Sequence, residues 1–105
     1  VNSPWLDKSG LQNAKALFDI LDRYSQVQVV LFGHVHQEFE RIRRDVTYLS
    51  TPSTCIQFSP KSSDFALDNA RPGFRLISLY PDGRFETIVH RVCFNQRLDF
   101  AAQGY

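Results

Sequence analysis

One short run, Val27-Gln28-Val29-Val30-Leu31-Phe32, limits what this chain can fold into more than any other feature, because its last four residues are apolar at consecutive rather than alternate positions and it stops at Gly33. Such a β-branched run fits a strand covered on both faces, as in the sheets of α/β proteins. Upstream, Ala14, Leu17, Phe18, Leu21 and Tyr24 recur at three-and-four spacing, which predicts a helix over residues 13–24 with one buried face. Asn13 stands where its side-chain oxygen can accept from an amide two or three residues on, so it is the expected N-cap. A helix, the polar break Ser25-Gln26, a buried strand and a glycine make half of an α/β unit. In such sheets, ligands bind at the loops that follow the carboxyl ends of strands.

The rest reads as β structure. Residues 39–43 and 46–50 are expected to pair as a hairpin around Arg44-Asp45, and residues 54–58 form a further short strand. Residues 59–72, rich in Ser, Asp and Pro, read as loop. Residues 74–80 and 85–92 alternate on either side of Pro81-Asp82-Gly83, which supplies the fixed and positive φ values of a tight turn. The tail from residue 95 to 105 has no period. No repeat or linker divides the chain, so residues 1–105 read as one domain or a portion of one. The expected fold class is therefore α/β (α+β), one main helix followed by mostly antiparallel strands. At 105 residues with 43% apolar content the chain can build a small core, which argues against disorder. It opens on Val1-Asn2-Ser3-Pro4-Trp5-Leu6, without an initiator methionine and with an aromatic side chain already placed for packing. It reads as a cut end.

Charge excludes some partners. Twelve basic and 11 acidic residues, spread along the chain, leave a net charge of +1, with no basic footprint for nucleic acid or an anionic membrane. No apolar run approaches the roughly 18 residues needed to span a bilayer, and the start lacks the pattern of a secretory signal. A soluble, cytoplasmic protein is the expectation. Cys55 and Cys93 lie far apart without CxxC spacing and read as reduced thiols packed as small buried hydrophobes.

The chemically informative segment is Gly33-His34-Val35-His36-Gln37, directly after the apolar strand. Two imidazoles separated by one residue point the same way if the backbone stays extended, and the glycine lets the main chain approach a bound group closely. Neutral imidazole is a common ligand for divalent transition metals. Two histidines are still an incomplete site, since a catalytic zinc-type centre takes about three protein ligands. The third histidine, His90, is flanked by Ile88 and Val92 at strand spacing and reads as a strand residue. Ser53, Thr54 and Cys55 have no histidine beside them to make a nucleophile. Arg41, Arg43, Arg44 and Asp45 read as a solvated hairpin face rather than a phosphate-binding cluster. Trp5 reads as core packing rather than a base-stacking surface.

Several stretches carry a resemblance. Gly33-His34-Val35-His36 after a buried strand is similar to the last signature of the calcineurin-like metallophosphoesterases. Ser3-Pro4-Trp5-Leu6-Asp7-Lys8 with Asn13-Ala14, the continuation His36-Gln37, Ser50-Thr51-Pro52-Ser53-Thr54-Cys55, and Pro72-Gly73-Phe74-Arg75 followed by Pro81-Asp82-Gly83 resemble the bacterial Icc-type 3′,5′-cyclic-AMP phosphodiesterases over nearly the whole chain. The resemblance implies a four-layer αββα sandwich of which this chain is the C-terminal half. It also implies a pair of bridged divalent ions, manganese, iron or zinc, with His34 on one ion and His36 on the other, and cyclic AMP as the small-molecule substrate. The upstream signatures of that superfamily, Asp-x-His, Gly-Asp and Gly-Asn-His, do not occur here. The expectation is a piece of a metal-dependent phosphodiesterase, inactive by itself, with a related phosphoesterase or a non-catalytic interaction module as alternatives. An apolar strand with an open edge further implies a homo-oligomer or exchange of elements between copies.

Overall fold

The computed structural model describes residues 1–94 and 97–103, so the expectation for the tail falls in part outside the described residues. Two helices come first, α1 (Pro4–Asp7) and α2 (Ala14–Leu21), followed by β1 (Val29–Phe32), β2 (Phe39–Arg43), β3 (Val46–Ser50), β4 (Gln57–Phe58), β5 (Leu67–Asp68), β6 (Gly73–Leu79) and β7 (Phe85–Arg91). The chain is mixed α/β with few helices and mostly antiparallel strands, as its pattern predicts.

The first sheet has the order β1-β3-β2. Its centre, β3, runs parallel to β1 and antiparallel to β2. The β2–β3 hairpin forms in the expected register, with Arg43 opposite Val46. Arg44 and Asp45 take φ of 49° and 63°, the left-handed pair that a two-residue hairpin turn requires to match the twist of its strands. The second hairpin also forms, from Gly73 opposite Arg91 to Leu79 opposite Phe85, turning at Gly83 with φ 88°.

Several expectations are corrected. Asn13 makes no side-chain capping bond, and its backbone carbonyl alone receives the amides of Ala16 and Leu17. No residue of α2 is buried, and Leu17 and Ile20 stay exposed. Phe18 lies against the Tyr48 ring at 5.8 Å and under the Arg43 guanidinium at 4.6 Å, so the helix rests on a strip of the sheet rather than in a core. β1 is not covered on both faces. It is an edge strand, and Leu31 is 53% exposed. The reason is the flatness of the fold, 45 × 32 × 15 Å, because a slab this thin has no second layer to bury an apolar strand or helix face. Leu6, Val46, Leu49 and Phe58 form the buried apolar core.

The strand expected over residues 54–58 shrinks to β4, because the buried side chain of Gln57 takes over backbone partners of the preceding turn. Its Oε1 accepts from the Ser53 amide at 2.9 Å, and its Nε2 donates to the carbonyls of Ser53 and Cys55 at 2.7 and 3.2 Å. The expected loop over residues 59–72 contains β5, which pairs with β4. Both cysteines are exposed rather than buried. Arg43 and Arg44 are not free hairpin charges, since both bond to the carboxylate of Asp22 at the end of α2, and the Arg43 bond holds that carboxyl below its ordinary range.

Candidate metal centre

The order β1-β3-β2 dictates where the histidines sit. Phe32 at the end of β1 and Phe39 at the start of β2 both lie opposite Ser50, the last residue of β3. Residues 33–38 therefore arch over the carboxyl end of the central strand, with the rings of Phe32 and Phe39 6.1 Å apart at their feet. This is the end of the sheet at which α/β proteins place ligands.

His34 and His36 both lie on this arch, which the spacing predicts, but not on extended backbone. Their φ values are 72° and 48°, so the alternation that would aim two side chains alike does not apply. Non-glycine residues in the left-handed region carry a conformational cost and persist where surrounding contacts hold them. Those contacts are present. The side chain of Ser50, fully buried, donates to the carbonyl of Gln37 at 2.5 Å. The side-chain Nε2 of Gln37 donates to the buried Oγ of Ser3 at 3.2 Å, and the same oxygen accepts from the Lys61 backbone N–H at 3.1 Å. Glu38, at the far foot, pairs with Arg91 at 3.3 Å. Gly33 has nothing within 4 Å of where a Cβ would stand.

The two imidazoles differ in surroundings. His34 is exposed, whereas His36 is half-buried and lies flat on Phe58, with ring centroids 4.3 Å apart and planes 7° from parallel. Phe58 is itself wedged by edge contacts from Trp5 at 5.0 Å and Phe65 at 5.6 Å. This is the packing role expected of Trp5. Burial pushes the His36 pKa below its ordinary value. A hydrogen bond to the Ile56 backbone works against that shift, and the neighbouring His34 charge adds to it. The net effect keeps His36 neutral, the state in which an imidazole nitrogen can donate to a metal.

His90 does not join them. It is exposed on β7 and stacks on Phe74 at 5.4 Å, the strand role that its flanks predict. Among the described residues no group of three or more His, Cys, Asp or Glu converges. Imidazole is a donor that divalent transition ions take as part of a larger set, and with two on this turn the remaining donors must come from elsewhere. The supports of the arch, Ser3, Gln37, Ser50 and Phe58, are not singled out by reasoning on chemistry. Three of them fall in the stretches Ser3-Pro4-Trp5, His36-Gln37 and Ser50-Thr51-Pro52, which show up in the sequence only as a resemblance.

Comparison with known proteins supplies what the geometry leaves open. The chain is 54% identical over 95 residues to a 3′,5′-cyclic-nucleotide phosphodiesterase of Nostoc sp., covering 90% of this chain and 36% of that protein. It is 51% identical over 92 residues to the 3′,5′-cyclic adenosine monophosphate phosphodiesterase CpdA of Pseudomonas aeruginosa, covering 88% of this chain and 34% of that one. To CpdA of Vibrio vulnificus it is 42% identical over 106 residues, spanning the whole of this chain and 39% of the relative. This chain is homologous to a segment of the bacterial cyclic-nucleotide phosphodiesterases. It spans about a third of the length of these curated relatives. No protein-family profile and no solved structure matches it. Among the described residues, no helix is long and apolar enough to cross a membrane.

Proposed function

We propose that this chain is the C-terminal portion of a single metallophosphoesterase domain, part of a cytoplasmic, metal-dependent phosphodiesterase that hydrolyses 3′,5′-cyclic AMP to 5′-AMP. The observation that carries the reading is the held arch with His34 and His36 at the carboxyl end of β3, in a chain half-identical to cyclic-nucleotide phosphodiesterases. In this reading the sheets described above are the second half of an αββα sandwich, and His34 and His36 each supply an imidazole to one of two divalent ions, manganese, iron or zinc. Such ions, when bound, supply Lewis-acid activation of the phosphate and of the attacking water. The chain's own part is to hold two imidazoles on one turn, one exposed and one seated on Phe58. Neither histidine moves a proton.

Two donors do not fix a pair of ions, so this chain by itself is expected to be inactive. The test is a graft that puts residues 1–95 in place of the matching segment of the Nostoc enzyme. Manganese-dependent hydrolysis of cyclic AMP is expected in the graft and is lost on His34→Ala or His36→Ala. An active graft indifferent to both substitutions would refute the role of the histidines. Metal-dependent turnover by the 105-residue chain alone would refute the incomplete donor set.

A second copy of the chain is the proposed partner besides the nucleotide. The support is β1, an apolar edge strand with Leu31 53% exposed, because an open apolar edge invites strand pairing. A scattering mass of a monomer at millimolar concentration would count against it.

A further inference from the structure

The contacts around His36 come from one short segment. Within residues 56–58, the Phe58 amide donates to the His36 carbonyl at 3.2 Å, and the Phe58 ring lies flat on the imidazole at 4.3 Å. The segment is itself enclosed and hydrogen-bonded. Gln57 is 2% exposed and Phe58 is 1% exposed, and the Gln57 side chain is spent entirely on the turn before it. A flat aromatic neighbour sets the plane of a ligand imidazole, and with it the direction in which the ring nitrogens face. We propose that Phe58 is a positioning residue for His36, the surface against which this ring is held in the plane that a divalent ion requires.

The proposal rests on the reading of His34 and His36 as metal donors and adds a residue to it. Packing alone does not account for the arrangement. Trp5 and Phe65 meet Phe58 edge-on, at 79° and 64°, as aromatic side chains in a core commonly do. The imidazole meets it at 7°, and the same residue bonds the His36 backbone.

The experiment titrates zinc into the 105-residue chain and follows the imidazole nitrogens by NMR, in the wild type, Phe58→Leu, Phe58→Met and Phe65→Leu. Phe65→Leu loosens the same aromatic cluster without touching the stack. Expected are zinc-induced shifts at His34 and His36 in the wild type. In whichever Phe58 variant keeps the β6–β7 cross-strand signals, zinc affinity should be about tenfold weaker. Phe65→Leu should stay within about twofold of wild type, well below the loss expected for a group that orients a ligand. A folded Phe58 variant with wild-type zinc affinity overturns the proposal, and so does a Phe65→Leu loss as large as that of the Phe58 variants. If zinc leaves His34 and His36 unshifted in the wild type, the metal reading itself fails and the positioning role fails with it.

Discussion

Replacing Gly73 by alanine tests how the two halves of this flat fold are joined. A Cβ at Gly73 would stand 2.7 Å from the His90 carbonyl oxygen, 2.9 Å from Cδ of Arg91 and 3.1 Å from Cγ of Pro52. The arginine methylene can swing away. The carbonyl cannot, because His90 lies in the β6–β7 ladder one residue from the Gly73–Arg91 pair. To reach ordinary contact at 3.4 Å the ladder must open by about 0.7 Å. Opening it also pulls on the Gly73 amide, which donates to the Ser53 carbonyl at 2.9 Å and ties the hairpin to the turn that carries Phe58. Overpacking of this kind costs about 1–3 kcal/mol, and the lower entropy of an unfolded alanine chain returns about 0.4–1 kcal/mol of it. A net loss of about 1–2 kcal/mol lowers the melting temperature by roughly 5–15 °C in a domain of this size. Urea denaturation of Gly73→Ala beside Gly33→Ala is the assay. Gly33 has open space where its Cβ would go, so its variant should match wild type within about 0.5 kcal/mol. A Gly73→Ala protein as stable as wild type would refute the steric reasoning.

Three more outcomes follow from the same geometry. The folded-state pKa of His36 is depressed below 6.5, chiefly by burial, so the unfolded chain takes up a proton first as the pH falls. The stability contributed by neutral His36 should be complete above 6.5 and be lost on acidification below it, and His36→Gln should flatten that part of the urea-midpoint profile between pH 7.5 and 5.5. Ser50→Ala removes the buried donor to the Gln37 carbonyl and should cost about 1–3 kcal/mol, with faster amide exchange concentrated in residues 33–38. Leu49→Ala empties a site with no exposed surface in the central strand and should cost about 2–5 kcal/mol. A measured loss under 1 kcal/mol would mean that the slab has no real core there.

Both hairpins were legible along the chain because their signals are local. Arg44-Asp45 and Asp82-Gly83 stand between runs of strand period, and the observed registers follow from them. The apolar run before Gly33 and the helix before it were legible for the same reason. What the period could not give is the degree of cover. Periodicity says which side of α2 is apolar, not whether a second layer exists to bury it, and here Leu17, Ile20 and Leu31 remain exposed. Strand pattern over residues 54–58 overstates the strand at Gln57–Phe58, because a glutamine side chain can take hydrogen bonds that propensity assigns to a ladder, and that choice depends on Gln57 being buried.

For the site, the order of residues alone determined the chemistry available: two imidazoles one residue apart after an apolar strand, with no third histidine near them. It determined the kinship too, since 54% identity over 95 residues is a property of the string of residues. Only the tertiary structure decided how those imidazoles are held. Extended backbone would have aimed them alike, but both lie at positive φ on an arch pinned by Ser3, Ser50 and Phe58. Ser3 lies 34 positions from Gln37, and Phe58 lies 22 from His36. Hydrogen bonds and ring contacts at such separations leave no period in the sequence. They exist only once β3 has entered between β1 and β2 and brought distant segments to one end of the sheet.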